Sequence, residues 1–263
     1  MTPEAARAAA QMIAEARLSQ VVLGPLPEAC YPATVADGYV IQRTLHDIIA
    51  NSAMGHRKGY KIGCTSEVMQ DYLGIDHPCA GGILDTGIFD GHAELSLGNY
   101  HKPGVECEVA VQLADDMPAN HAHTIDSVAE HVGAVMIAME IVDNRYADYT
   151  GLGAATLIAD DFFGAGCVLG EPIPDWRDID LPAVSGGLTV NGEARGTGAG
   201  ADIMGHPLEA LAWLASHATQ SGQSLKAGEI VLLGTIVQCE WIAGPSEVTA
   251  EISGLGKVTA AFS

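Results

Sequence analysis

Apolar positions recur along this chain with two different periods. Near the start, "PEAARAAAQMIAEARLS" and, from Thr34, "VADGYVIQRTLHDIIA" repeat apolar residues at helical spacing. They predict one helix over about residues 3–18 and a second starting near Thr34. Thr2 suits the cap, Pro3 the first helical position, and Glu4 the positive end of the helix dipole. Pro25, Pro27 and Pro32 punctuate the link between the two helices. From Gly59 onward the period shortens. Short β-like runs are expected at Tyr60–Ile62, Ile88–Leu95, Val105–Leu113, Val135–Val142, Gly166–Leu169, Gly187–Val190, Ile230–Val237, Glu247–Ile252 and Lys257–Phe262. Thr124 starts a short helix, "IDSVAEHV", and "PLEALAWLASHATQSG" reads as an amphipathic helix ended by Gly222. The expectation is an α+β protein: a helical N-terminal part over 1–58, then one compact strand-rich core over 59–263. Thirty-one glycines, many between runs, fit tight turns and a strongly bent sheet.

One run breaks the pattern of apolar strands. In "GVECEVAVQL", Glu106 and Glu108 project from one strand face, opposite Val105, Cys107, Val109 and Val111. Two adjacent like charges repel, and the run holds no Lys or Arg. Ala110 and Gln112 continue the Glu face, so it is not plainly a solvent face. Glu140 lies in a second apolar run, "GAVMIAMEIVDNR", where a carboxylate must be paired or bound to a metal. Three carboxylates without a His/Cys cluster suit a hard cation such as Mg²⁺ or Mn²⁺, which would make the facing charges tolerable. The alternative for Glu140 is an internal salt bridge, to Arg145 or Lys61.

Lys61, in "KGYKIGCTS", sits between Tyr60 and Ile62. In an apolar setting it binds a carboxylate or acts as a base; otherwise it reaches to the surface. Asp160 and Asp161, in "ATLIADDFFGAG", form either the edge of a site or a turn cap.

Charge and composition narrow the function classes. Twelve basic against 33 acidic residues give −21, which repels nucleic acid and anionic membranes. No apolar run approaches the roughly 20 residues that span a bilayer. The N-terminal segment lacks a basic region followed by an apolar block, so no secretory signal is expected. Six scattered cysteines with no CxxC pair give no disulfide framework and point to a reduced, cytoplasmic setting. "NGEARGTGAGADIMGHP" is glycine-rich but lacks the grammar of a dinucleotide site; no P-loop, G-x-S-x-G elbow or H-E-x-x-H helix occurs.

With these residues in view, the chain resembles the fumarylacetoacetate hydrolase superfamily, and within it the branch of 2-keto-4-pentenoate hydratases and 4-oxalocrotonate decarboxylases. The landmarks run in family order: "GYKIGCTSEVMQDYLGID", "GVECEVAVQL", "AMEIVDNRYADY", "GTGAGADIMGHPLEALAWLA" and "LKAGEIVLLGT". The resemblance implies a mixed β-roll core with flanking helices. It also implies a Mg²⁺ or Mn²⁺ site held by Glu106, Glu108 and Glu140, and a homo-oligomer. Lys61 takes the place of a substrate-contacting lysine. Cys79, Asp160 and Thr235 take substrate-binding places, and Lys61, Asp161 and Glu106 catalytic ones. Two departures stand out. Cys79, in "HPCAGG", stands where the hydratases carry an Asp, and Asp161, in "ADDFF", where they carry an Asn.

The implied activity is metal-dependent hydration of a 2-hydroxy-2,4-dienoate to a 4-hydroxy-2-oxo acid in aromatic catabolism. A C–C hydrolase of maleylpyruvate or fumarylpyruvate is the second reading, and 4-oxalocrotonate decarboxylation the third. The hydrolase branch often uses a His–Glu pair on an N-terminal lid. Here His46 is the only histidine on the second helix, and Asp47 lies beside it rather than one turn away. A non-catalytic subunit is expected to have lost metal ligands, whereas this chain keeps all three.

Overall fold

The computed structural model describes residues 1–119 and 122–263. In chain order it runs α1 (Pro3–Ser19), α2 (Val35–Ile49), β1 (Arg57–Gly63), α3 (Glu67–Leu73), β2 (Cys79–Leu84), β3 (Ile88–Asp90) and β4 (His92–Leu95). Then follow β5 (Pro103–Leu113), α4 (Ile125–Ala129), β6 (Val132–Asp143), α5 (Ala154–Ala159), β7 (Gly164–Leu169), β8 (Ser185–Val190) and β9 (Glu193–Ala199). The chain closes with α6 (Pro207–Gln220), β10 (Ile230–Thr235), β11 (Glu240–Trp241), β12 (Ser246–Ile252) and β13 (Gly256–Phe262).

The helix starts follow their capping chemistry. The Thr2 hydroxyl accepts from Ala5 N–H at 3.2 Å. Thr34 and Asp37 cap each other's backbone at the head of α2. Thr124 and Ser127 do the same for α4, which is shorter than the sequence suggests and ends at Ala129.

The strands form two mixed sheets. The larger runs β2-β1-β10-β5-β6-β7-β3, with β11 also paired to β5; the smaller runs β4-β13-β12-β8-β9. The two long strands β5 and β6 are antiparallel, and their register sets Glu106 directly opposite Glu140 and Glu108 opposite Ala138. Period two divides the faces. Val105, Cys107, Val109 and Val111, with Val135, Ile137, Met139 and Ile141, are fully buried in the main core, together with Val248, Ala250, Val258 and Ala260 of the smaller sheet. The opposite face carries Ala110, Ala134, Met136, Ala138, Cys167 and Leu232 in a second, smaller buried cluster. The three glutamates stand on that second face, so it is an interior face rather than a solvent face.

Several expected elements differ. The single run Ile88–Leu95 is two strands in two sheets. Gly91 breaks it at φ +68°, a left-handed backbone that suits glycine. The run Ile230–Val237 ends as a strand at Thr235, after a register shift against β5 between Leu232 and Thr235. β2, β9, α3 and α5 were not expected. "CAGGIL" and "EARGTGA" hold few β-branched or aromatic residues, and both helices are under eight residues long. The helices α1 and α2 pack on each other and α2 packs on α5, so one apolar cluster joins the N-terminal helices to the sheets. No helix among the described residues is long and apolar enough to cross a membrane.

Candidate active site

Glu106, Glu108 and Glu140 each offer a carboxylate oxygen within 4.8 Å of the others. Glu108 and Glu140 are 1% and 2% exposed, so water does not screen their repulsion. Lys61, 4% exposed, brings its Nζ to 3.0 Å from Glu140 Oε1. Lys61 is the partner of that oxygen, while Oε1 of Glu108 and Oε2 of Glu140 are buried with no hydrogen-bond donor among the described residues. Oε2 of Glu108 accepts from Gly234 N–H at 2.9 Å. One lysine thus faces three carboxylates, those of Glu108 and Glu140 buried and that of Glu106 half-buried. Of the salt bridges expected for Glu140, the one to Lys61 forms, and Glu140 also belongs to the carboxylate group.

The electrostatics show how under-neutralised the cluster is. Burial and then the Glu140 charge push Glu106 up to about 7, against the pull of Lys61. Burial, Glu140 and Glu106 hold Glu108 well above the usual carboxylate range. Burial alone would lower the Lys61 pKa, but the three carboxylates outweigh it and hold Lys61 above its ordinary value. Lys61 is therefore a cation here rather than a base. Oxygen ligands only, mostly buried, short of hydrogen-bond donors and mutually repulsive, fit a hard divalent cation.

A cleft of ≈ 250 Å³ opens beside the cluster, lined among others by Lys61, Glu140, Ile83, Tyr100, Arg17 and Arg145. Behind its far wall lies a buried network that sequence reading did not assemble. Asp160 is fully buried; its oxygens meet Arg17 Nε at 2.7 Å and Arg145 Nε at 3.1 Å. Two guanidinium groups take both oxygens of this residue, which was expected to bind substrate.

Asp161 is 1% exposed. Its oxygens accept from Gly82 N–H at 2.7 Å and Arg17 Nη2 at 3.1 Å, and His46 Nε2 lies 2.8 Å from Oδ1. Burial alone would raise the Asp161 pKa, but His46 and Arg17 hold it below the usual range. Asp161, expected to be catalytic, is thus gripped within the fold by His46, Arg17 and the Gly82 N–H. The carboxylate partner of His46 is thus Asp161, far along the chain, and not its neighbour Asp47. Asp161, Phe162 and Phe163 all have left-handed backbones, with φ 53°, 51° and 67°. Each such non-glycine residue costs about 1–2 kcal/mol, so the Asp161 contacts offset real strain.

The remaining sequence candidates lie apart from an open surface. Cys79 is fully buried. A thiol contact with Cys64, together with burial, raises its pKa and keeps it a neutral thiol. The Thr235 hydroxyl donates to the carbonyl of Val237, with the Cys107 carbonyl at 3.2 Å. Its neighbour Gly234, through a backbone N–H, is the group that reaches Glu108. Cys239 was not anticipated: its thiol contacts Glu106. Nothing in the scattered cysteine spacing signals that contact.

Comparison with known proteins agrees with this geometry. Residues 90–263 match the family model described as fumarylacetoacetate (FAA) hydrolase C-terminal. The chain is 35% identical over 258 residues to the 2-keto-4-pentenoate hydratase of Paraburkholderia phymatum, covering 97% of this chain and 96% of that one. It is 32% identical over 255 residues to the 2-hydroxyhexa-2,4-dienoate hydratase of Comamonas testosteroni, with 96% and 95% covered. The solved 4-oxalocrotonate decarboxylase from Pseudomonas putida G7, complexed with magnesium and adipate, superposes with a TM-score of 0.93 at 25% identity, covering 100% of this chain and 99% of that one. With its sheets, its carboxylate cluster and these relatives in hand, the chain belongs to the fumarylacetoacetate hydrolase family. Within that family it falls in the branch of hydratases and decarboxylases just named.

Proposed function

We propose that the protein is a divalent-metal-dependent hydratase that adds water to a 2-hydroxy-2,4-dienoate to give a 4-hydroxy-2-oxo acid in aromatic catabolism. The observation that carries this reading is the carboxylate cluster: three carboxylates, with buried oxygens of Glu108 and Glu140 left without donors, face one lysine in a chain related end to end to hydratases. Glu106, Glu108 and Glu140 would hold Mg²⁺ or Mn²⁺; the related decarboxylase structure contains magnesium. Such an ion, when bound, supplies Lewis-acid stabilisation of charge that develops on a chelated 2-oxygen and carboxylate.

The chain's own residues supply the rest. Lys61 Nζ, held as a cation by its carboxylate neighbours, orients the substrate's anionic end. Glu106 must be ionised to act as a ligand, so it serves as a ligand and not as an acid once the site is loaded. Ile83 lies in the cleft wall, and Phe162, 7% exposed, packs its ring 5.6 Å from Lys61 Nζ. Together they keep bulk water from the reacting carbons. Arg17 and Arg145 line the cleft, but Asp160 and Asp161 already neutralise them. This supports a substrate tail without a second carboxylate. The soluble setting is taken to be the cytoplasm and the assembly a homo-oligomer.

The test is a panel. Mn²⁺-loaded protein is offered 2-hydroxypenta-2,4-dienoate, maleylpyruvate and 4-oxalocrotonate separately, and the products are weighed. Gain of one water by the dienoate supports the proposal. Pyruvate plus maleate makes the protein a C–C hydrolase, and loss of CO₂ a decarboxylase; either result overturns it.

A further inference from the structure

His46 does not share the cleft with Lys61. β1 and β2 pair Lys61 with Gly81 and Tyr60 with Gly82, so the two positions face opposite sides of the sheet. A Cβ on Gly82 would meet the His46 ring at 2.5 Å, which places His46 behind the strand. A Cβ on Gly81 would meet the Asp161 carbonyl oxygen at 2.6 Å. Two consecutive glycines thus make room for His46 on one side and for the Asp161 turn on the other. His46 Nε2 lies 2.8 and 3.1 Å from the two Asp161 oxygens, and Arg17 and Gly82 N–H complete the grip. Beyond Asp161 the backbone stays left-handed through Phe162 and Phe163. The Phe162 ring ends 5.6 Å from Lys61 Nζ, and Phe163 packs edge-on to Tyr146, Tyr149 and Phe162.

We propose that His46 is a positioning residue: from behind the sheet it pins Asp161, keeps the left-handed turn 161–163 in place, and so holds the Phe162 ring against Lys61. A left-handed run of three residues with side chains persists only where its surroundings over-determine it. Here one carboxylate bears most of that task, and His46, at 2.8 Å, lies closer to it than Arg17, at 3.1 Å. The ring it places shields Lys61 from water and faces its charge with the negative ring surface. The hydratase reading is needed only for the activity arm of the test.

The test uses the whole protein labelled with 4-fluorophenylalanine. Four phenylalanines give four fluorine resonances, assigned by single Phe→Leu variants. In His46→Leu the Phe162 and Phe163 signals are expected to move or broaden while Phe89 and Phe262 stay in place. His46→Gln, which can still donate to Asp161, is expected to restore both signals. In turnover of the dienoate, His46→Leu is expected to lose about tenfold in kcat with little change in KM, and His46→Gln to recover most of it. Unmoved Phe162 and Phe163 signals in His46→Leu overturn the proposal. So does movement of all four signals together, which marks general loosening. If His46→Leu does not fold, a His46→Gln protein whose Phe162 signal departs from wild type overturns it equally. A protein with no hydratase activity leaves the fluorine arm intact, so failure of that reading is told apart from failure of this one.

Discussion

The carboxylate cluster should make the metal-free protein less stable as the pH rises. Glu106 is held near 7 in the fold, against an ordinary value of 4.5. Between those values the folded chain binds a proton that the unfolded chain has released. Its stability contribution is therefore full below about 4.5 and is lost as pH climbs through about 7. A shift of that size integrates to a loss of about 2–3 kcal/mol between pH 5 and 8. Glu108, pushed in the same direction, adds to the loss. Other groups change within this window too: burial lowers the His217 pKa, which works the opposite way. The reading is therefore taken as a difference. Urea unfolding of wild type and Glu106→Gln in chelator, at steps from pH 5 to 8, isolates the Glu106 contribution. The wild type should lose ground on the variant by about 2–3 kcal/mol across the series. Saturating Mn²⁺ should stabilise wild type more at pH 8 than at pH 5, because binding requires the ionised carboxylate. A difference that is flat, or that favours wild type as pH rises, would refute the argument that burial and mutual repulsion govern this cluster.

Three further outcomes follow from the same contacts. Asp160→Ala leaves Arg17 and Arg145 buried without their shared partner, and should cost about 3–5 kcal/mol in urea unfolding. Gly81→Ala drives a methyl group into the Asp161 backbone and should destabilise by about 1–3 kcal/mol, read as a drop in thermal midpoint. Lys61→Met removes the one cation facing three carboxylates. It should lower kcat by about 10²–10³-fold, while calorimetry shows that the protein still binds Mn²⁺.

Much of this was legible in the chain because period-two alternation is a strong signal where both faces are buried. Val105 to Val111 marked one core face, and the interruption by Glu106 and Glu108 marked the other. Glu140 was legible for the same reason, as a charge inside an apolar run. The contacts of Asp160, Asp161 and His46 were not legible. An aspartate pair after an alanine-rich segment looks the same whether it caps a turn, binds a ligand or clamps two arginines. Only the fold brings Arg17, Arg145 and His46 to it, from positions up to 144 residues away. β2 and β9 were missed because glycine serves there for close approach, at Gly81 and Gly82 above all, and removes the side chains by which strands are recognised. Ile88–Leu95 was joined in error because a single glycine with a left-handed backbone ends one strand and starts another without any change in polarity pattern.

The central claim is that Glu106, Glu108 and Glu140 hold a cation that makes the chain a hydratase. The most direct measurement is a mass assay on 2-hydroxypenta-2,4-dienoate with protein stripped by chelator, before and after Mg²⁺ or Mn²⁺ is restored, with Glu108→Gln run alongside. The account predicts a product heavier by one water only after the metal is restored, and none from the variant. Hydration by the stripped protein, or an undiminished product from Glu108→Gln, would contradict it.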